Sequence, residues 1–274
     1  MAKSHSIRDL CEQTGDAGYK LLCEAWAILR FIWQLFGMVR DAVMHPHRVK
    51  LQRVAYYLDN CGSDAVPIIS MLGLLIGVIL AFQAITQLGR YGVQNYVVNL
   101  VGTVIVNELA PLVTAVVLAG RSGSAFAAEL GTMKTTEEID AMVTLGFDTG
   151  RFLILPKVLA LLLALPGLTI IADVCGIAGG MMIVCSQLDI SVSEYINSVQ
   201  QVIRPIDLSQ GMIKSFFFGF IVAAIGCHKG ISSGRDAQGV GKSATSAVVT
   251  SIFLIVSADA LLTALFAAIE HAKG

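Results

Sequence analysis

Long apolar runs separated by short polar stretches set the pattern of this chain. No charged residue lies between Asp64 and Arg90, and the apolar stretch spans roughly 65 to 88. At ~1.5 Å of rise per helical residue, such a run crosses the ~30 Å hydrocarbon layer of a bilayer. A second run covers about 97 to 120, with Glu108 near its middle and Pro111 just after. The third, about 152 to 185, is too long for one straight span and holds Pro156, Pro166 and Asp173, which predicts a kinked or tilted helix. The fourth and fifth cover about 209 to 228 and 244 to 269. Runs of ~20 residues, unlike the ~10-residue alternating strands of a barrel, predict an all-α integral membrane protein with about five transmembrane helices. The first span contains Gly73 and Gly77 in G-x-x-x-G spacing, suited to close helix contact with a second copy or within the subunit.

The segments between the runs have their own patterns. Residues 7 to 58 place Leu21, Leu22, Ala25, Ile28, Leu29, Ile32, Leu35 and Phe36 at a helical period, interrupted by Arg30, Arg40, Arg48, Lys50 and Arg53. Trp26 and Trp33 fall on one face. This predicts an N-terminal amphipathic helix lying in the membrane interface, or a cytosolic helix packed on a partner. Residues 1–60 are read as this region and 61–274 as the transmembrane domain. Between spans two and three, Thr135 and Glu138 have capping-box spacing, and Gly146 is placed to end the short helix that follows. That helix carries acidic Glu137, Glu138 and Asp140 against apolar Ile139, Met142 and Val143. A transporter needs such a helix to dock a motor subunit, and an ordinary surface helix has the same pattern. The polar stretch 186 to 208 reads as an external loop with short helices.

Composition agrees with a membrane protein. Of 274 residues, 55% are hydrophobic and 14% charged, with mean hydropathy +0.72. Soluble domains carry about 25% charged residues. Charge placement gives orientation. Fifteen Lys and Arg fall on the side of the N-terminal segment, the 121–157 region and the 228–242 loop, and four on the other, counting Lys214 as near a span end. The positive-inside rule then puts the N-terminus in the cytosol and the C-terminus outside. The six cysteines are scattered without a C-x-x-C pair, and the five histidines are dispersed. Neither suggests a metal site. Gly239-Val240-Gly241-Lys242-Ser243 is not a phosphate loop, because Asp236 stands where the first glycine is required. No nucleophile–base pair argues for an enzyme. Glu108, Asp173 and Asp259 are carboxylates inside apolar spans. Each faces a polar interior as part of a substrate cavity or proton relay, or is a neutral structural carboxyl.

Several motifs together resemble the MlaE-type permease family over roughly residues 50 to 270. They are Asn107-Glu108-Leu109-Ala110-Pro111, the segment from Ala119 to Ala125, the segment from Ala128 to Lys134, Glu137-Glu138-Ile139-Asp140-Ala141, and the stretch from Asp259 to Leu265. The resemblance implies a non-catalytic, homodimeric permease core in a bacterial inner membrane. Two ABC ATPase subunits would bind ATP and Mg on the cytosolic side, the permease itself needing no cofactor. An MCE-domain lipid-binding protein would sit on the periplasmic side. The substrate would be glycerophospholipid moved between inner and outer membranes to maintain outer-membrane lipid asymmetry, with sterols or other lipids as alternatives. No nucleic-acid partner is implied.

The resemblance places the ATPase on the 131–146 region, a short cytosolic coupling helix. The candidate docking residues are Arg121, Glu129, Lys134, Glu137, Glu138, Asp140 and Met142. Lipid would occupy a cavity at the dimer interface, formed by spans one, two and five. Leu74, Ile76, Leu80, Leu262 and Phe266 would form an apolar wall, Gln83, Gln87 and Asn99 polar partners, and Glu108 and Asp259 would hydrate it. A rival from another class is a proton-coupled secondary transporter using Glu108, Asp173 and Asp259 as relays. A scaffold without transport is the third option.

Overall fold

A computed structural model of the chain describes residues 7–45, 50–93 and 96–273. Among them every regular element is helical, and the chain divides into two compact units, Met1–Arg48 and Val49–Gly274. The first unit contains α1 (Ile7–Met44), a single helix of 38 residues. Trp26, Leu29, Trp33 and Phe36 follow one another at helical spacing and are all exposed, so they form an aromatic and aliphatic stripe. The side chains of Leu21, Leu22 and Ala25, and all of Arg48, lie outside the described residues.

The second unit opens with α2 (Leu51–Gly62), a 3₁₀ turn at Ser63–Ala65, and α3 (Val66–Gly89). The next apolar segment is α4 (Val97–Val104), α5 (Ala110–Leu118) and α6 (Ser124–Thr135), joined by π-helical turns at Ile105–Leu109 and Ala119–Gly123. Then come α7 (Glu138–Thr144), α8 (Leu155–Gln187) behind a π-turn at Gly150–Ile154, α9 (Val192–Val202), α10 (Pro205–Ile231) and α11 (Ala237–Lys273). Five segments are long and apolar enough to cross a membrane: Leu51–Gly89, Val97–Thr135, Gly150–Gln187, Pro205–Ile231 and Ala237–Ala272. They correspond in order to the five runs read from sequence. Pro156 and Pro166 do not split the third run: α8 is one helix of 33 residues, with Pro156 in its first turn. It is about 50 Å long, well beyond the hydrocarbon layer.

Small residues decide the packing. The Gly73–Gly77 pair is spent within the subunit, against α8. A Cβ on Gly73 would lie 2.9 Å from the Ala172 carbonyl oxygen, and one on Gly77 would run into the Gly176 carbonyl. Gly179 in turn meets the Leu74 carbonyl. Backbone contact of this kind replaces the hydrophobic drive that apolar side chains lack in lipid. The matched pairs rise together in number, so α3 and α8 run parallel. Gly226 of α10 likewise lies against the Gly123 backbone. Of the five apolar windows, that of the α8 segment is 56% buried and that of α11 only 6%. Thus α8 is the core of the unit, while α11 packs on α10, α6 and α5 along one side and leaves most of its surface open.

The link between α6 and α7 differs from the expected capping box. Thr135 is the last residue of α6, and its hydroxyl donates to the Gly131 carbonyl at 2.9 Å. Glu137 takes a left-handed conformation (φ 59°) and separates the two helices. The end of α7 is as read from sequence. Gly146 has φ 79°, its N–H bonds the Val143 carbonyl, and the Phe147 N–H bonds the Met142 carbonyl. This is a Schellman ending. On the far side, Ser191 caps α9 and the Tyr195 side chain is buried, with its hydroxyl donating to the Ile177 carbonyl at 3.3 Å.

Candidate functional site

The spans bring together a charged network inside the apolar segments. Glu108 lies in the first π-turn. Pro111 has no N–H to offer the Asn107 carbonyl, so the regular helical ladder lapses there, and the Ala110 N–H reaches the Ile105 carbonyl instead. From α10 comes Lys214, only 1% exposed. Its ammonium contacts Glu108 Oε2 at 2.7 Å and Asp259 Oδ1 of α11 at 2.9 Å, and donates to Thr263 Oγ1 at 2.7 Å. Thr263 donates to Glu108 Oε1 at 3.0 Å. One cation therefore serves two carboxylates. A buried charge requires such partners. The Glu108 side chain is 34% exposed, so the network has an open polar edge. Leu262 and Phe266, on the same face of α11 as Asp259, are half-buried beside it.

Lys214 was read as sitting near a span end. It lies instead well inside α10, nine positions beyond Pro205. The signal that could have found it is the pair of carboxylates in spans two and five, which need a cation among the residues of the spans. Asp173 takes no part in the network. It is buried in α8, and its Oδ1 has no hydrogen-bond partner among the described residues. A separate tie is made by Arg204. Its backbone N–H donates to Asp207 Oδ2 at 2.9 Å, and its guanidinium reaches Asp207 at 3.2 Å and Glu270 at 3.5 Å. This ties the start of α10 to the end of α11.

Of the other cavity candidates, Ile76, Leu80, Gln83 and Gln87 share one face of α3, and Ile76 lines a crevice with Leu109 and Val113 of the second span. Leu74 falls on the other flank, with its backbone against Gly179. Asn99 is half-buried in α4.

The docking candidates cluster at the opposite end of the spans, around α6 and α7. Glu137 and Glu138 are exposed, as are Val143, Leu145 and Phe147. Asp140 pairs with Arg235 at 3.2 Å. Met142 lines an open groove of about 540 Å³ with Met133, Arg53 and Phe152. The other three candidates are engaged inside the subunit. Lys134 donates to the carbonyls of Ile231 and Ser233 at 2.7 Å each, holding the end of α10. Glu129 accepts from the Tyr57 hydroxyl at 2.8 Å and pairs at 2.5 Å with Lys157, which is fully buried under the rings of Tyr57 and Phe126. Arg121, in the second π-turn, pairs with Asp64 at 3.0 Å.

The family model for the permease MlaE matches residues 54–265. The chain is 35% identical over 235 residues to a probable ABC transporter permease protein of Rickettsia prowazekii, covering 86% of this chain and 91% of that one. It is 36% identical over 216 residues to a probable ABC transporter permease protein of Synechocystis, covering 79% and 82%. It is 32% identical over 247 residues to the protein TRIGALACTOSYLDIACYLGLYCEROL 1, chloroplastic, of Arabidopsis thaliana, covering 88% and 70%.

Proposed function

The chain belongs to the MlaE permease family and is a multi-pass ABC transporter permease, and from this premise we propose that it is the membrane core of a phospholipid transporter. Two copies form a homodimer in a bacterial inner membrane, N-termini in the cytosol and C-termini in the periplasm. Two ATPase subunits bind and hydrolyse ATP with Mg, and an MCE-domain protein receives or delivers lipid on the periplasmic side. Glycerophospholipid then passes between inner and outer membranes, sustaining outer-membrane asymmetry.

The observation that carries the lipid reading is the Glu108–Lys214–Asp259 network set into an otherwise apolar face. A phospholipid needs both, a polar edge for its headgroup and a wall such as Leu262, Phe266, Ile76 and Leu80 for its chains. The name of the Arabidopsis relative contains a glycolipid, which agrees with a lipid substrate here. For the ATPase, the support is α7, which presents Glu138, Met142 and exposed Val143 on a short helix between two spans, with Glu137 exposed just before it. Lys134, Glu129 and Arg121 instead tie α6 and its π-turn to the end of α10, to α2 and α8, and to Asp64. ATP-driven closure of the two ATPases would move the paired α7 helices, and the motion would pass through α6 and its π-turn to the spans.

The test is reconstitution of the chain with its ATPase in liposomes containing a fluorescent phospholipid. ATP-dependent lipid movement is expected, and Glu137→Lys with Glu138→Lys should abolish both movement and ATPase co-purification while the chain still folds. Lipid movement by the chain alone under a proton gradient would overturn the proposal in favour of a secondary transporter.

A further inference from the structure

The Glu108–Lys214–Asp259 network carries a net charge as well as polarity: two carboxylates against one ammonium leave one negative charge. Its members are unequally exposed. The side chain of Lys214 is 2% exposed, that of Asp259 16% and that of Glu108 34%. The ammonium has Glu108 Oε2, Asp259 Oδ1 and Thr263 Oγ1 within 2.9 Å, as many oxygens as it has protons. Enclosed in this way, it has no side left for an oxygen from outside. Thr263 lies on the exposed side of the network, and its hydroxyl proton goes to Glu108. What the network turns outward is therefore an acceptor, the Glu108 carboxylate, and not a donor.

The surrounding spans hold no second cation. Lys214 is the one Lys or Arg within residues 97–120, 205–228 and 244–269. An anionic headgroup arriving at this edge would set its charge beside Glu108 with nothing to receive it. In apolar surroundings an uncompensated charge is costly. An ammonium does the opposite. It supplies the missing positive charge, and its N–H groups make charge-assisted hydrogen bonds to the carboxylate. A headgroup that joins this amine to a phosphate is neutral as a whole, so its entry adds no net charge.

We infer that Glu108 selects the headgroup amine. The preferred substrate is then a zwitterionic phospholipid with a primary amine, of the phosphatidylethanolamine type, and anionic phosphatidylglycerol is disfavoured. This rests on the transport reading above and adds the headgroup class to it.

The experiment places the chain and its ATPase in liposomes that carry phosphatidylethanolamine and phosphatidylglycerol together. Each lipid bears a fluorophore of its own colour on the acyl chain, and the colours are exchanged in a second sample. ATP-dependent movement of phosphatidylethanolamine should exceed that of phosphatidylglycerol about tenfold, the ratio that one charge-assisted hydrogen bond supports. Glu108→Gln leaves one ammonium against one carboxylate and should bring the ratio below about threefold. Asp259→Asn removes the same charge from a different helix and should also lower it. Both lipids report on the same chains, so a loss of folded protein slows both and leaves the ratio as it was. For a variant that moves neither lipid, the ratio is read on the two lipids that co-purify with it from an equimolar membrane. Equal movement of the two lipids by the parent, faster phosphatidylglycerol, or a ratio unchanged in both variants overturns the inference. A parent complex that moves neither lipid with ATP sinks the transport reading instead, and the co-purified ratio then decides the headgroup preference by itself.

Discussion

Replacing Lys214 by Met removes the one cation that Glu108 and Asp259 share. At an effective dielectric of ~20, an ion pair at the observed 2.7 or 2.9 Å is worth about 6 kcal/mol of gross Coulomb energy. Most of that offsets the cost of taking the ammonium out of water, since the side chain is buried. Glu108 retains part of its solvation at the open edge, which lowers the loss further. Removing one partner of a buried pair costs ~3–5 kcal/mol in general. The exposed edge of Glu108 puts this site at the lower end, about 3 kcal/mol. The two carboxylates would then face each other across Thr263 with no counter-charge. Glu108→Gln is expected to behave differently: the Lys214–Asp259 pair survives with balanced charge, and the amide oxygen still accepts from Thr263, so the cost should stay below about 1 kcal/mol. Equilibrium unfolding by SDS titration in mixed micelles measures both. Combining Lys214→Met with Glu108→Gln and Asp259→Asn should recover most of the loss, because no ion then remains buried without a partner. A Lys214→Met chain within about 1 kcal/mol of the parent, or a Glu108→Gln chain equally damaged, would refute the shared-cation account.

Three further outcomes follow from the packing and the helix ends. Gly77→Ala drives a Cβ into the Gly176 carbonyl, where backbone cannot yield, and should cost at least about 2 kcal/mol in the same titration; Gly120→Ala, whose Cβ meets nothing, should change it by less than about 0.5. Gly146→Val forces a β-branched residue to φ 79° and should cost about 1–2 kcal/mol locally, read as faster amide exchange over 138–147 with the spans still protected. Lys134→Met frees the carbonyls of Ile231 and Ser233 and should cost about 2 kcal/mol, read as new proteolytic cleavage in the 231–236 turn.

The sequence alone determined the class, the number and order of the spans, the short helix ending at Gly146, and the family resemblance. Those features depend on runs of apolar residues and on local backbone preferences, which a one-dimensional pattern records. It also singled out Glu108 and Asp259, because a carboxylate in an apolar run stands out wherever it points. Tertiary structure decided who meets whom. The Gly73–Gly77 pair suited a second copy and the same subunit equally, and the Ala172–Gly176–Gly179 surface of α8 settled it. By sequence Lys214 stands near a span end and Lys157 in the cytosolic 121–157 region. Both are buried, and the carboxylates they neutralise lie on other spans, 45 and 106 residues away for Lys214 and 28 for Lys157. The same holds for Arg121, Glu129 and Lys134, whose charges suggested an outward surface and whose partners lie inward. Charge can be read from a residue's type, but the partner that makes burial affordable is fixed only when the helices pack, because Coulomb and hydrogen-bond energies depend on distances that sequence spacing does not encode.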